Sequence, residues 1–231
     1  MCGRFALSTS PTAIADHFGL DETPELVARF NVAPGQSIAT ISRPGEERRS
    51  ILSWRRWGLV PSWAKDQKIG NRLINARAET AAEKPSFRSA LRRRRCLVPA
   101  DGFYEWAGTK GSKQPHLIGL EGRGLFAFAG LWERWTDPGG ETLESCTVLT
   151  TEATEQLSAL HDRMPVIVDP VDYGLWMDPD TVEPNLVSPV IDRNLGSALD
   201  FHPVSTHVND VHHDDSRCLE AIAGQTGFFD A

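Results

Sequence analysis

The sequence predicts an α+β fold, a single compact domain built on a distorted, mostly antiparallel, barrel-like sheet with short peripheral helices. Short strand-like runs separated by turns are the first observation behind this prediction, and helical stretches placed irregularly between them are the second. The third is the lack of regular strand–helix alternation, of a G-x-G-x-x-G motif and of a P-loop. We therefore expect no nucleotide cofactor.

The first half of the chain contains two predicted helices and two predicted strands. In "TSPTAIADHFGL", Ser10 is placed to cap a helix and Gly19 to end it. "QSIATISR" and "RSILSWRRWGLV" have the composition of strands. "KPSFRSALRRRR" follows as a short helix, for which Ser86 is the predicted cap.

Apolar runs dominate the second half. The predicted strands there are "RCLVPADGFYEW", "PHLIGL", "GLFAFAGLWE" and "LESCTVLT". A helix in "TEATEQLSALH", a strand in "MPVIVD" and a short helix in "DPVDYGLWM" complete the predicted elements. We expect one domain over residues 1–231, with no element assigned from about residue 211 onward.

The composition of the chain is that of a globular protein, with 40% hydrophobic and 24% charged residues. No apolar run approaches the roughly 20 residues needed to cross a membrane. The N-terminus also lacks the apolar stretch of a signal peptide, because Arg4 and "STSPT" interrupt it. We therefore expect a monomeric cytoplasmic protein with no membrane partner.

Charge is distributed unevenly along the chain, whose net charge is −7. Residues 1–113 contain 19 Lys and Arg against 11 Asp and Glu, whereas residues 114–231 contain 5 against 20. Such asymmetry allows a basic face on an acidic protein, although solvated surface with chance clustering is the simpler interpretation.

Cys2 is the cysteine whose position suggests chemistry. Cys96 and Cys146 lie in apolar strand-like runs and are expected to be inert core residues. If Met1 is removed, Cys2 carries a free α-amine, which titrates near about 7.7–8.0 and is partly neutral at pH 7. That amine can form a Schiff base with an aldehyde, and the thiol beside it can close a thiazolidine ring at little entropic cost.

Three further stretches contain polar side chains that suit catalysis. Asn75, Arg77 and Glu79 alternate in "RLINARAET", so they would share a face in an extended segment, or form a structural ion pair. Glu105 lies between aromatic residues in "GFYEW", a partly desolvated setting that suits proton transfer, although an ordinary strand glutamate fits as well. His161 is predicted to close a helix, where it could transfer protons or cap the helix end.

Two other stretches suggest ligands. "RRWGLVPSWAKD" combines arginines and tryptophans like a platform for stacking bases, although core tryptophans flanked by solvated arginines fit equally. "HPVSTHVNDVHHDD" holds four of the 7 histidines. No nearby cysteine or helical H-x-x-x-H pair fixes a coordination geometry, so no metal is expected.

Taken together, the motifs resemble one family. "MCGRF", "NVAPGQ", "WGLVPSWAKD", "NARAET", "RRCLVPADGFYEW" and "HDRMPVIV" occur in the order found in the SRAP (SOS response-associated peptidase) family. The resemblance runs from residue 2 to about residue 210. Within the family, the chain resembles the compact bacterial members. It implies an α+β fold around a distorted antiparallel barrel.

The resemblance also implies a function in the DNA damage response. Family members remove their own initiator methionine, bind single-stranded DNA and capture the aldehyde of an abasic site as a thiazolidine crosslink. The implied activity is that of a self-processing peptidase with crosslinking and lyase-like chemistry. It needs no cofactor, and the protein would join the nucleoid when bound to DNA.

Matching positions acquire roles from this resemblance. Cys2 would be the nucleophile, Asn75 would orient it, and Glu105 would be the general acid/base. His161 would help to open the deoxyribose ring. The implied DNA contacts are Arg4, Arg77 and Thr150 to phosphates, Trp106 and Trp63 beside the lesion, and Pro34 within "NVAPGQ".

Two alternative functions follow from the same residues. N-terminal-nucleophile amidohydrolases also expose a cysteine after methionine removal, but Arg4 replaces their usual apolar residue and their Asn-Gly and Gly-Asp motifs are not found. A non-catalytic single-strand-binding module would use the basic face and leave Cys2 idle.

Overall fold

The strands of the computed structural model, which describes residues 2–44, 49–109, 111–122 and 124–222, form two sheets. In chain order the strands are β1 (Phe5–Leu7), β2 (Arg29–Val32), β3 (Ser37–Ser42), β4 (Ile51–Trp57), β5 (Asn75–Arg77), β6 (Arg95–Ala100), β7 (Gly102–Thr109), β8 (Ser112–Leu120), β9 (Phe126–Thr136), β10 (Thr142–Glu152), β11 (Arg163–Pro165) and β12 (Leu199–Pro203). The helices are short and peripheral: α1 (Pro11–Phe18), α2 (Ala78–Ala81), α3 (Arg88–Arg93), α4 (Glu155–Ser158), α5 (Tyr173–Met177) and α6 (Pro184–Asp192).

One sheet closes on itself. Its order is β11-β10-β4-β3-β6-β9, and β9 also pairs with β10, so β10, β4, β3, β6 and β9 form a ring. The β10–β4 and β10–β5 pairs are parallel and the other pairs antiparallel. The second sheet has the order β12-β8-β7-β1-β2. This topology confirms the predicted α+β fold with a mostly antiparallel, barrel-like sheet.

Aromatic side chains join the two sheets in one core. Phe5 of β1 meets the rings of Trp57 and Phe128 edge-on, with centroids 5.3 Å and 5.9 Å apart. Trp57 is fully buried, whereas Trp63 is 57% exposed. The predicted stacking platform in "RRWGLVPSWAKD" is therefore wrong for Trp57, because this ring fills the core.

The structure confirms the predicted ends of one helix and contradicts the predicted cap of another. Helix α1 confirms its predicted ends, because Ser10 accepts from the Ala13 amide and Gly19 has the left-handed φ of 61°. The prediction that Ser86 caps α3 is wrong. The amides of Phe87 and Arg88 both donate to the carbonyl of Lys84, so Ser86 lies inside the preceding turn and buried Phe87 occupies the cap position.

The predicted strand "RCLVPADGFYEW" is two strands, β6 and β7, separated by Asp101. Asp101 is buried and accepts hydrogen bonds from the backbone and hydroxyl groups of Ser8 and Thr9. Because those residues directly follow β1, Asp101 fixes the chain at the far end of the strand that begins three residues after Cys2.

The C-terminal segment also differs from the prediction, which assigned no element beyond about residue 211. Residues Ser216–Leu219 form a 3-10 helix whose Cys218 is buried. Ala221 bridges to Val204 at the end of β12, so the segment packs on the five-stranded sheet β12-β8-β7-β1-β2. Residues 223–231 lie outside the described part. Among the helices the structure describes, none has the length and apolarity that crossing a membrane requires.

Candidate active site at Cys2

Cys2 lies where the two sheets meet. On the side of the five-stranded sheet β12-β8-β7-β1-β2, the Tyr104 amide donates to the Arg4 carbonyl (2.9 Å), which aligns the start of the chain with β7. On the side of the closed sheet, Asn75 Nδ2 donates to the Cys2 carbonyl oxygen at 2.7 Å. The residues just before β1 are thus held from both sides.

Asn75 is positioned by the barrel. It begins β5, which runs parallel to β10 with Asn75 opposite Val148. The residue before it is held as well, because Trp57 Nε1 donates to the Ile74 carbonyl at 2.9 Å. The Asn75 Oδ1 atom is buried and has no hydrogen-bond partner within the described ranges. Asn75 therefore has an acceptor left for a further donor near Cys2.

The Cys2 thiol is fully buried, and this burial raises its pKa well above the ordinary value. The carboxylate of Glu105 raises that pKa further, because a negative charge nearby disfavours the thiolate. Glu105 is itself only 8% exposed, on β7 between two aromatic residues. The thiol is therefore neutral at physiological pH and has a carboxylate close enough to interact with it electrostatically.

The end of β10 gathers a second group of polar residues. Thr150 lies between Arg77 of β5 and Pro165 of β11 in register. Arg163 donates to both carboxylate oxygens of Glu79 at 2.8 Å and to the Thr150 carbonyl at 2.6 Å. The hydrogen bond from Arg163 lowers the pKa of Glu79. This end of the sheet therefore combines two arginines with a threonine.

One detail of the "RLINARAET" prediction is wrong. Asn75 and Arg77 lie in a strand, but Glu79 lies in helix α2. The three side chains therefore do not share the face of one extended segment, and Glu79 instead forms the ion pair with Arg163.

His161 follows helix α4 rather than closing it, because the helix ends at Ser158 and the chain turns to enter β11. The Arg163 amide donates to His161 Nδ1 at 2.9 Å, which leaves Nε2 as the proton-bearing nitrogen of the neutral ring. The Asp162 carboxylate lies 2.8 Å from the same Nδ1 and can pair with it only when that nitrogen carries a proton. The backbone donor and Asp162 thus compete for this nitrogen.

Arg4 and Trp106 lie together beside Cys2 on the five-stranded sheet that contains β7. The Arg4 guanidinium carbon is 5.5 Å from the centre of the Trp106 ring. Arg4 Nη1 donates to Asn31 Oδ1 at 2.6 Å and to the Val208 carbonyl at 3.0 Å. Burial lowers the pKa of the Arg4 guanidinium, which nevertheless stays charged at neutral pH.

Trp63 and Pro34 are exposed, and no hydrogen bond or ring contact among the described residues joins them to Cys2. Trp63 Nε1 points to the Pro85 carbonyl at 3.4 Å. Pro34 lies in the turn between β2 and β3. The structure thus brings Cys2 together with Asn75, Glu105 and Arg4, and groups Arg77 and Thr150 with the His161 segment.

Arg163 and Asn31 contact site residues but had no predicted role. Arg163 is two residues after His161 in "HDRMPVIV" and is the first residue of strand β11. Asn31 begins "NVAPGQ", the motif in which Pro34 was the predicted DNA contact. Within the described ranges, no group of three or more His, Cys, Asp or Glu side chains is arranged to hold a metal ion.

The fold and the site define an α+β barrel protein with a buried cysteine held between two sheets, beside an amide, a carboxylate and an arginine. The sequence profile of the SOS response associated peptidase (SRAP) family matches residues 1–211. The chain belongs to this family.

The chain is similar over most of its length to proteins that are named for a function. The abasic site processing protein YoqW of Bacillus subtilis is 41% identical over 225 residues, which are 96% of this chain and 100% of the relative. The abasic site processing protein HMCES of Gallus gallus is 33% identical over 96% of this chain and 78% of its own length.

Solved structures share the fold. A protein of Bacteroides thetaiotaomicron superposes with a TM-score of 0.82 over 96% of this chain and 100% of its own, at 23% identity. A phage-related protein of Bordetella bronchiseptica has a TM-score of 0.72 and 27% identity, covering 88% of this chain and 94% of its own.

Proposed function

We propose that this protein processes abasic sites in single-stranded DNA by capturing their aldehyde covalently on Cys2. The observation that carries the proposal is the arrangement at Cys2, whose carbonyl is held by Asn75 and whose buried thiol interacts with the Glu105 carboxylate. The relatives YoqW and HMCES, both named abasic site processing proteins, support the same substrate.

Removal of Met1 is the first step of the proposal. While Met1 is attached, the Cys2 nitrogen is an amide and cannot form a Schiff base. Hydrolysis of the Met1–Cys2 peptide bond consumes one water and releases methionine. The product has an α-amine and a thiol on neighbouring carbons, which is the pair that thiazolidine formation needs.

Capture then proceeds in two bond-forming steps. The neutral α-amine attacks C1′ of the ring-opened abasic site, and loss of one water gives an imine. The Cys2 sulfur adds to the imine carbon, and the proton of the thiol is transferred to the nitrogen. The product is a thiazolidine in which nitrogen and sulfur both bond to C1′, so the aldehyde that would promote strand cleavage is consumed.

The neighbouring side chains supply orientation and proton transfer. Asn75 fixes the Cys2 carbonyl, and its free Oδ1 can accept from the new α-amine. Glu105 protonates the hydroxyl that leaves as water and receives the proton of the neutral thiol. His161 donates a hydrogen bond from Nε2 to the deoxyribose ring oxygen, which assists ring opening. The ring oxygen takes up a proton from water while the C1′ hydroxyl gives one up, so the sugar opens to its aldehyde form.

DNA is held mainly through its phosphates in this proposal. Arg4, Arg77 and Thr150 contact the backbone without reading sequence. Trp106 stacks or wedges where the base is missing, and Trp63 and Pro34 contact the flanking strand. The acidic second half of the chain limits non-specific coating of DNA, because its charge repels phosphates outside this narrow surface.

A denaturing gel tests the proposal. Met1-free protein is mixed with a uracil-containing oligonucleotide after treatment with uracil-DNA glycosylase. We expect a shifted band with the natural protein and with the matched control Cys96→Ser, which changes a buried cysteine of the barrel. Cys2→Ala should give no band, and Cys2→Ser should give a band only after borohydride reduction. A full shift with Cys2→Ala would contradict the proposal.

A further inference from the structure

We propose that Asn209 and Asn31 are positioning residues that orient Trp106 and Arg4 for DNA. The 3-10 turn Thr206–Asn209, within the histidine-rich stretch, is then a structural part of the DNA-binding surface. This inference rests on the proposed function, since it assigns a task to groups that hold the two DNA-contacting side chains.

Asn209 fixes the edge of the Trp106 ring. Trp106 Nε1 donates to Asn209 Oδ1 at 2.7 Å, although the two residues are 103 positions apart. Trp106 is only half-buried and Asn209 is exposed, so burial alone does not orient the ring. The hydrogen bond at the Nε1 edge and the Arg4 guanidinium near the ring together set its direction.

Asn31 fixes Arg4 in a similar way. Its side chain is fully buried, and Oδ1 accepts from Arg4 Nη1 at 2.6 Å. Its Nδ2 group lies 3.2, 2.9 and 2.7 Å from the carbonyls of Val208, Asp210 and His213. Asn31 therefore connects Arg4 to the same turn that carries Asn209.

The turn itself is anchored on strand β2. Asp214 accepts from the backbone amides of Phe30 at 2.5 Å and Asn31 at 2.9 Å, and its carboxylate also binds the Arg29 side chain. Because these groups tie the segment to a strand, the turn is a fixed support rather than a loose surface loop.

The histidines of the stretch complete this support. The rings of His207 and His213 stack with centroids 3.8 Å apart, and His213 Nδ1 lies 2.8 Å from the His207 carbonyl. These contacts shape the turn, which gives the histidine-rich stretch a structural role.

The test measures non-covalent binding to an oligonucleotide with a tetrahydrofuran abasic analogue, which has no aldehyde and cannot crosslink. We expect Asn209→Leu to weaken binding about fivefold, the order expected for one lost hydrogen bond. Trp106→Phe keeps a ring but removes the Nε1 donor. On the Trp106→Phe background, Asn209→Leu should therefore have no further effect.

The exposed Asn185, on helix α6, provides the matched control Asn185→Leu, which should bind like the natural protein. Asn31→Ala combined with Arg4→Ala repeats the cycle for the second pair, with thermal unfolding to identify loss of fold. The inference is overturned, and the proposed function is untouched, if the natural protein binds the oligonucleotide but Asn209→Leu binds it equally well. The same holds if Asn209→Leu lowers the affinity equally in the natural protein and in Trp106→Phe. If the natural protein does not bind, the proposed function fails and the inference fails with it.

Discussion

The Asn75 side-chain amide donates to the Cys2 carbonyl oxygen at 2.7 Å, and this hydrogen bond joins the residue at the proposed reaction centre to the barrel. Asn75 belongs to a strand of the closed sheet, whereas the segment after Cys2 belongs to the other sheet. The nucleophile of the proposed reaction therefore takes its position from both sheets.

Replacing Asn75 tests this relationship. Asn75→Ala removes the hydrogen bond, whose net worth of about 1–1.5 kcal/mol corresponds to a rate loss of about tenfold in crosslinking. Single-turnover crosslinking on a denaturing gel measures the rate. The control Asn71→Ala changes an exposed asparagine and should keep the natural rate. A rate for Asn75→Ala within twofold of the natural protein would show that the bond does not serve the reaction.

Glu105→Gln keeps the size of the side chain but removes its proton transfer. General acid–base catalysis is worth roughly 100-fold or more, so imine formation should slow by about that factor. Borohydride trapping on the Cys2→Ser background measures imine formation separately from ring closure. The exposed Glu152 supplies the control Glu152→Gln, which should be silent. Unchanged borohydride trapping with Glu105→Gln would show that Glu105 takes no part in imine formation and acts only when the thiol closes the ring.

The buried thiols predict a loss of stability at alkaline pH. Burial raises the pKa of Cys96 from 9.0 to about 12, while the unfolded thiol keeps an ordinary value. Above about pH 9 the unfolded state therefore binds fewer protons than the folded state, and the free energy of unfolding falls as pH rises.

Cys96→Ala isolates this effect. It should make the slope of unfolding free energy against pH shallower by about 1.4 kcal/mol per pH unit between about pH 9 and 12. Urea unfolding under reducing conditions measures the slope. Equal slopes for the two proteins would mean that Cys96 does not retain its proton in the folded state.

Arg77→Ala tests the phosphate contacts. Each contact to single-stranded DNA contributes about 0.7 to the slope of log affinity against log salt, so this variant should reduce the slope by about that amount. Affinity for the abasic-analogue oligonucleotide at several salt concentrations gives the slope. Arg92→Ala, at an exposed arginine of helix α3, is the control and should leave the slope unchanged. A shift in affinity without a change in slope would argue against a phosphate contact.

Local signals accounted for the parts of the fold that the sequence predicted well. The ends of α1 depend on Ser10 and Gly19, whose effects are confined to neighbouring backbone groups. Most of the strand-like runs also formed strands, which are divided between the barrel and the five-stranded sheet. Ser86 failed as a cap because burial of Phe87 shifted the helix start, and burial of that kind is decided by tertiary packing.

The candidate site was predictable only in its parts. The motifs named Cys2, Asn75 and Glu105, but no spacing in the sequence shows that Asn75 reaches the Cys2 carbonyl across 73 positions. The C-terminal segment was missed for the same reason. Asp214 contacts the amide of Phe30, 184 positions away, and such a partner leaves no local pattern.

Intact mass spectrometry can show whether Cys2 captures the aldehyde of an abasic site covalently. Met1-free protein is mixed with an abasic-site oligonucleotide, denatured and weighed, with Cys2→Ser measured in parallel. We expect an adduct that survives denaturation without reduction, with the mass of the protein plus the oligonucleotide minus one water, and no such adduct for Cys2→Ser. A natural protein that has lost Met1 and still gives no adduct would contradict capture by Cys2.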